Sequence, residues 1–336
     1  MAPVTRKHGW AARVERHPLL LSVAAALIAI GAFAGMSIAA GPAGVRARIE
    51  ELAPLWLAVA AGARLVSYLG YGIAHRWVTG ACDQSVLAAD DAMRVAAFGA
   101  GATSLKGGFS IDARALRGAG ASKREARAHV AALALLEYVV LALGAWTCSL
   151  LLLGEPSVKG VAVVPWAIGV PAGVALAIAA WPWLRGRDRN SRLGAVVAGA
   201  QILAGEWRRP VRALLAIAGM VLYWAAEAGA LWASLRAFGI SCSPAVAILG
   251  YATGYVLTPR GLPLAGAGIS EVLVPVSLMW LGVPLAAAVP AALAAELVRL
   301  GVSVPVALHS REEVHRLVGL ERRTQRRRRT ATATRQ

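Results

Sequence analysis

Eight ionisable side chains stand inside stretches that are otherwise long and apolar: Arg64, Glu137, Glu227, Arg236, Arg260, Glu271, Glu296 and Arg299. A guanidinium or carboxylate surrounded by hydrocarbon is costly to keep, so each is a candidate for binding or relaying charge. Two chemistries are open to such groups. They can hold the charged head of a ligand in a polar pocket, or they can neutralise one another and fix the packing of helices. Glu296 and Arg299, three residues apart on one helix face, can pair with each other, and Arg64 and Glu137 can pair between helices. Arg236 lies near the end of its stretch, where a long side chain reaches the interface. The number of these charges exceeds what packing alone requires.

The stretch Thr258-Pro-Arg-Gly-Leu-Pro-Leu-Ala-Gly-Ala-Gly-Ile-Ser-Glu271 is the most informative. Gly266 and Gly268 permit backbone conformations closed to other residues, and Ser270 is a candidate N-cap. A helix starting there would aim unpaired N–H groups at the tip of the segment, and with Arg260 beside them this makes an anion site. Pro275 argues for a later helix start, because it would remove an early helical hydrogen bond. The expected substrate-binding set is Arg260, Gly266, Gly268, Glu271, Glu296, Arg299, Arg64 and Glu137.

Soluble-enzyme chemistry finds no motif. Gly266-Ala267-Gly268-Ile269-Ser270-Glu271 lacks the last glycine of a dinucleotide fingerprint and follows no strand. No phosphate loop surrounds Lys106, and there is no GxSxG. Cys82, Cys148 and Cys242 are far apart, without ligand spacing. Glu125 and His129 share a helix face, but two groups make no metal site and read as a charged surface. No catalytic residue, metal or cofactor is expected.

The elements that must position these residues follow from composition. Of 336 residues, 58% are hydrophobic and 16% charged, against about a quarter charged in soluble domains. Six segments reach the roughly 20 residues that cross about 30 Å of hydrocarbon: 19–40, 52–74, 128–153, 161–184, 211–238 and 284–308. The first follows Arg6, Lys7, Arg13 and Arg16, but is too long for a signal-peptide core and reads as a retained span. Two more segments are apolar yet interrupted. Residues 86–105 carry Asp90, Asp91, Arg94, Gly99 and Gly101, and residues 244–283 are broken by Pro259, Gly261 and Pro263 besides the glycines above. Both are candidate re-entrant hairpins, since irregular backbone at membrane depth requires protein or a water-filled cavity around it. The alternatives are an interfacial amphipathic helix for the first and two ordinary spans for the second, giving seven or eight crossings.

Charge sets the orientation. With the N-terminus inside, segments 1–18, 75–85, 106–127, 185–212 and 309–336 carry 27 Lys and Arg, and the opposite connections 41–51, 154–160 and 239–243 carry three, Arg46, Arg48 and Lys159. Both termini are therefore expected in the cytoplasm of a multi-pass cell-membrane protein. The net charge of +17 belongs to these connections and to a basic tail, 309–336, expected to be disordered and to meet anionic lipid rather than nucleic acid.

The same reading makes 19–153 and 161–308 each span, span, hairpin, span, with the second copy inverted, as in inverted-repeat transporters. Gly120-Ala121-Ser122 aligns with Gly282-Val283-Pro284, which brings Ala126 to Ala288 and Glu137 to Arg299. The fold expected is all-α, an integral membrane domain over 19–308 behind a cytoplasmic segment 1–18.

Leu264-Ala-Gly-Ala-Gly-Ile-Ser-Glu271, then Leu281-Gly-Val and a helix ending Glu296-Leu-Val-Arg299, resembles the flippase-like membrane family that includes the transmembrane domain of lysylphosphatidylglycerol synthases. Leu105-Lys-Gly-Gly-Phe through Arg114, Gly120-Ala-Ser122 and Leu136-Glu137 is similar to that family's first hairpin region. Leu264, Ala265 and Ala267 depart from its Pro-Gly-Gly-Leu-Gly-x-x-Glu pattern, so the match rests on Gly266, Gly268 and Glu271. The resemblance implies movement of a phospholipid or a polyprenyl-phosphate-linked glycolipid between leaflets. Only 28 residues follow the last span, so the aminoacyl-transfer domain of the full synthases is not expected here, nor enzymatic activity. A separate glycosyltransferase or synthase partner is compatible with this. Two other readings are a non-transporting scaffold for a cell-envelope glycosyltransferase and an integral membrane lipid-dependent transferase.

Overall fold

A computed structural model describes residues 18–79, 95, 108–186, 191–258 and 269–309. All regular structure among them is helical, in eleven helices. They are α1 (Pro18–Ala40), α2 (Pro42–Glu50), α3 (Pro54–Thr79), α4 (Gly108–Gly118), α5 (Lys123–Leu151), α6 (Gly160–Arg185), α7 (Arg192–Glu206), α8 (Pro210–Ala237), α9 (Pro244–Leu257), α10 (Ile269–Trp280) and α11 (Leu285–His309). The protein is an all-α polytopic membrane protein. Helices α3, α5, α6, α8 and α11 are long and apolar enough to cross a membrane, and α1 with α2 forms a sixth candidate bent by 102°. Five of the six spans expected from hydropathy correspond to α3, α5, α6, α8 and α11, and the first, 19–40, coincides with α1.

Helices α3 and α8 form the axis of the bundle. They run antiparallel, with the Ala53 N–H donating to the Ala237 carbonyl at 2.8 Å. Small residues make their approach possible: Ala60, Ala230 and Ala233 are fully buried along the seam. A Cβ on Gly70 would stand 2.7 Å from the Gly219 carbonyl oxygen, and one on Gly219 would stand 2.8 Å from the Gly70 carbonyl oxygen. That reciprocity places Gly70 and Gly219 face to face. At the other extreme α6 is the least buried span, and Leu176 and Ile178 are exposed as a lipid-facing surface requires.

Packing around the axis recurs in two sets. Helix α4 packs on α5 as α10 packs on α11, α6 packs on α5 as α1 packs on α11, and α7 packs on α5 as α2 packs on α11. The entries into α5 and α11 agree in detail. Gly120 has φ 107° and Gly282 φ 87°, and beside them the Ala121 N–H donates to the Leu116 carbonyl and the Val283 N–H to the Leu278 carbonyl, each at 3.0 Å. Both turns are glycine-terminated helix ends of the same kind. Ser122 then caps α5 in a capping box with Glu125. The Ser122 backbone N–H donates to Glu125 Oε2 at 2.8 Å, and this bond, with the Ser122 side chain beside it, holds the Glu125 carboxyl below the usual carboxylate range.

Within segment 244–283, α9 and α10 lie side by side. At about 1.5 Å per residue, α9 with 14 residues and α10 with 12 are about 21 and 18 Å long, and neither alone crosses a bilayer. They are antiparallel: Gly250 lies against the Leu278 side chain and Gly254 against Val274. Residues 259–268, which join the two arms, lie outside the described residues. Ser270 falls within the described part of α10, Ile269–Trp280, and Pro275 sits inside the helix instead of delaying its start. Of the other expected hairpin, 86–105, only Val95 is described, and it is buried. Residues 1–17 and 310–336, including nearly all of the basic tail, also lie outside the described residues.

Two connections hold helices that hydropathy does not announce. In 41–51, Gly41 at φ 86° turns the chain and Pro42 opens α2, which carries the Arg46–Glu50 and Arg48–Glu51 ion pairs. In 185–212, the Ser191 hydroxyl accepts from the Gly194 N–H at 2.9 Å and starts α7. Gly199 then lets α7 lie directly against the backbone of α5 at Ala128–Ala132.

Candidate functional site

Helix α3 carries the site. Arg64, Tyr68, Tyr71 and His75 follow one another at spacings of four, three and four, which puts all four on one face of a helix. That face meets α8, α11 and α4, and the apolar remainder of α3 faces outward with Leu55, Leu65 and Leu69 exposed.

The first polar group lies about halfway along the bundle. Arg64 forms an ion pair with Glu227 of α8, both side chains less than a tenth exposed. Tyr251 of α9 donates to the same Glu227 Oε2 at 2.6 Å, and the Ser67 hydroxyl donates to the Arg64 carbonyl at 2.8 Å. One step along the stripe, the hydroxyls of Tyr68 and Ser303 of α11 are hydrogen-bonded. On α11 the Arg299 Nε donates to Glu296 Oε2 at 2.8 Å. The Arg64 charge is near enough to act on both. The two pairs differ in access: Glu296 and Arg299 are 26% and 25% exposed, Arg64 and Glu227 4% and 7%.

The second group centres on Glu137 of α5. The Tyr255 hydroxyl donates to its carboxylate, and the Trp224 indole N–H donates to its backbone carbonyl at 2.9 Å. Tyr251 and Tyr255 are i, i+4 neighbours with stacked rings 6.1 Å apart, so one face of α9 holds Glu227 and Glu137 together. Rings continue through Trp224 and Tyr223 to Tyr71, with centroid separations of 4.6, 4.8 and 5.4 Å. At the far end Tyr71 donates to Asp112 Oδ2 of α4 at 3.1 Å, and Asp112 Oδ1 lies 3.7 Å from His75 Nε2.

Of the expected binding residues, Arg64, Glu296 and Arg299 come together between α3, α8 and α11, and Glu137 joins them through α9. Arg64 does not pair with Glu137, as its sequence alternative allowed; it pairs with Glu227, which faces it across the α3–α8 seam. Glu296 and Arg299 do pair. Arg260, Gly266 and Gly268 lie outside the described residues, as does the side chain of Glu271, whose backbone belongs to α10. Arg236 donates to the Ser241 hydroxyl at 3.0 Å and lies over the Trp232 ring, consistent with an end-of-span position. His129 does not share an exposed face with Glu125; it is buried, its Nδ1 bonded to the Glu125 carbonyl at 2.9 Å.

Tyr68, Tyr71, His75, Asp112, Tyr251 and Tyr255 carry no expectation from the charge pattern. The signal was nevertheless present in the spacing of the α3 stripe and in the Tyr-x-x-x-Tyr of α9. Among the described residues no group of three or more His, Cys, Asp or Glu is arranged to hold a metal ion. A cavity of about 240 Å3, separate from this network, opens between α4 and α5 and is lined by Ala113, Arg117, Lys123, Ala126 and Arg127.

No protein-family model matches the chain, and no curated protein matches it at a significant level.

Proposed function

We propose that the chain is a membrane transporter or flippase that moves an anionic lipid, a phospholipid or a polyprenyl-phosphate-linked glycolipid, between leaflets. One observation carries the reading: a continuous charged and aromatic network at membrane depth, Arg64–Glu227–Tyr251 with Glu296–Arg299, set against a hairpin of two half-length helices. Half-length helices and buried charges occur together where a polar substrate crosses a bilayer. The partly exposed Arg299 is the group of this set most open to a phosphate oxygen, and a guanidinium binds phosphate through a fork of N–H donors.

The recurring packing of α1–α5 and α6–α11 about the antiparallel α3–α8 pair supports two inverted halves, 19–153 and 161–308. Alternating access then follows by moving one half against the other around a fixed site. The orientation proposed is the one that charge favours, with α4, α7 and both termini on the cytoplasmic side. There Arg117, Lys123 and Arg127 offer positive charge to anionic lipid head groups. The likeness of 96–137 and 256–299 to the flippase-like family points the same way, to movement of a lipid between leaflets.

The test is a leaflet-resolved translocation assay in proteoliposomes, with labelled anionic phospholipids, polyprenyl phosphates and a zwitterionic lipid as control. Protein-dependent movement of an anionic lipid, reduced at least about tenfold by loss of a charge-assisted contact worth about 1.5 kcal/mol or more, is expected for Arg299→Gln. Absence of movement for every lipid, in correctly inserted protein, would leave the scaffold reading in its place.

A further inference from the structure

The His75–Asp112 contact is not used by the head-group site above, and it is chemically incomplete. Both side chains are fully buried, at 0% and 1% exposure. Among the described residues neither ring nitrogen of His75 has a hydrogen-bond partner, and Asp112 Oδ1 has none either, although Nε2 and Oδ1 face each other at 3.7 Å. Among the described residues no Lys or Arg forms an ion pair with Asp112. The groups that surround the pair are Tyr71 on α3, His129 and Glu137 on α5, and Tyr223 on α8. A buried carboxylate left without a cation is strongly disfavoured. One added proton, shared between Oδ1 and Nε2, removes the charge and supplies the missing hydrogen bond.

We propose that His75 and Asp112 together bind one proton, and that its uptake couples docking of α4 on α3 to the transport cycle. This rests on the transport reading of the preceding section. The proton comes from water on the side of the bundle that carries α4, adds to Asp112 Oδ1 or His75 Nε2, and involves no electron transfer. With the proton bound the pair is neutral and α4 stays on α3; without it the carboxylate draws water in and α4 separates. Glu137, whose charge is felt at Asp112 and which Tyr255 of the α9–α10 hairpin holds, is the onward acceptor towards the opposite side. Asp112 lies on α4, outside the spanning helices, and burial pushes its carboxyl up to about 7, so it changes protonation near neutral pH.

Two measurements on the full-length protein test this. In infrared difference spectra between about pH 8 and about pH 6, where ordinary surface carboxylates stay ionised, wild type should gain a protonated-carboxyl band. Asp112→Asn should lose that band. Tyr71→Phe, which removes a donor that favours the ionised form, should move the midpoint of the band to higher pH. In proteoliposomes, wild-type translocation should accelerate under an imposed pH gradient. Asp112→Asn, permanently neutral and close in shape, should show a ratio of one between rates with and without the gradient. A band unchanged in Asp112→Asn, or a midpoint unmoved in Tyr71→Phe, overturns the proton site. A wild-type rate indifferent to the gradient overturns the coupling. No translocation under any condition, with the band intact, overturns the transport reading and with it the coupling, and leaves the proton site standing.

Discussion

Charge in this protein is handled as pairs with unequal access. Arg64 and Glu227 close on each other across the α3–α8 seam and are sealed, a geometry suited to fixing the bundle. Glu296 and Arg299 sit on one helix with a quarter of each side chain open, a geometry suited to exchange with a ligand. The difference is testable by paired substitution. Glu227→Gln should strand the Arg64 charge and destabilise the protein by about 3–5 kcal/mol, the usual result of breaking a buried pair, read as a fall in the thermal midpoint in detergent. Arg299→Gln should cost much less stability but stop translocation, and adding Glu296→Gln should not bring translocation back. Recovery of transport in that double variant would reduce Arg299 to a partner of Glu296.

At the scale of elements, the seam between α3 and α8 depends on the absence of side chains. A valine at Gly219 has its Cβ 2.7 Å from the Ala74 backbone nitrogen, and neither helix can yield without parting the Arg64–Glu227 pair. Gly219→Val should destabilise by at least the 1–3 kcal/mol or so typical of overpacking. Gly229, on the same helix with nothing within 4 Å of its Cβ position, should accept alanine with little change in thermal midpoint. Equal effects at the two sites would contradict the close approach. The α9–α10 hairpin depends on glycine in the same way: Gly250 and Gly254 let α10 lie against α9, and that contact aims Tyr251 and Tyr255 at Glu227 and Glu137.

At the scale of the whole molecule, the orientation and the inverted halves stand or fall together. Ser157, in the exposed α5–α6 connection, and Arg208, in the exposed α7–α8 connection, lie at opposite ends of the bundle. In a background free of Cys82, Cys148 and Cys242, a cysteine at Ser157 should react with an impermeant thiol reagent added outside intact cells, and one at Arg208 only after permeabilisation. The reverse pattern would turn the molecule over and place the basic connections outside. Labelling of both from outside would remove the inverted arrangement.

The sequence by itself determined the crossings, because twenty or so apolar residues leave the chain no soluble alternative. It also determined the internal glycine turns at Gly120 and Gly282 and the set of charges that cannot rest in lipid alone. Only the tertiary structure decided who meets whom. Arg64 has a carboxylate on each of several helices within plausible reach, and hydropathy ranks none of them; the glycine-lined seam selects Glu227. The helices α2 and α7 were hidden for a related reason, since both are too short to announce themselves as spans; α2 owes its shape to the Gly41–Pro42 turn and to packing on α11, and α7 to the Ser191 cap and to packing on α5. His75 and Asp112 are far apart in sequence and unremarkable in hydropathy. Their meeting depends on α4 folding back onto α3, a long-range contact that no local pattern encodes.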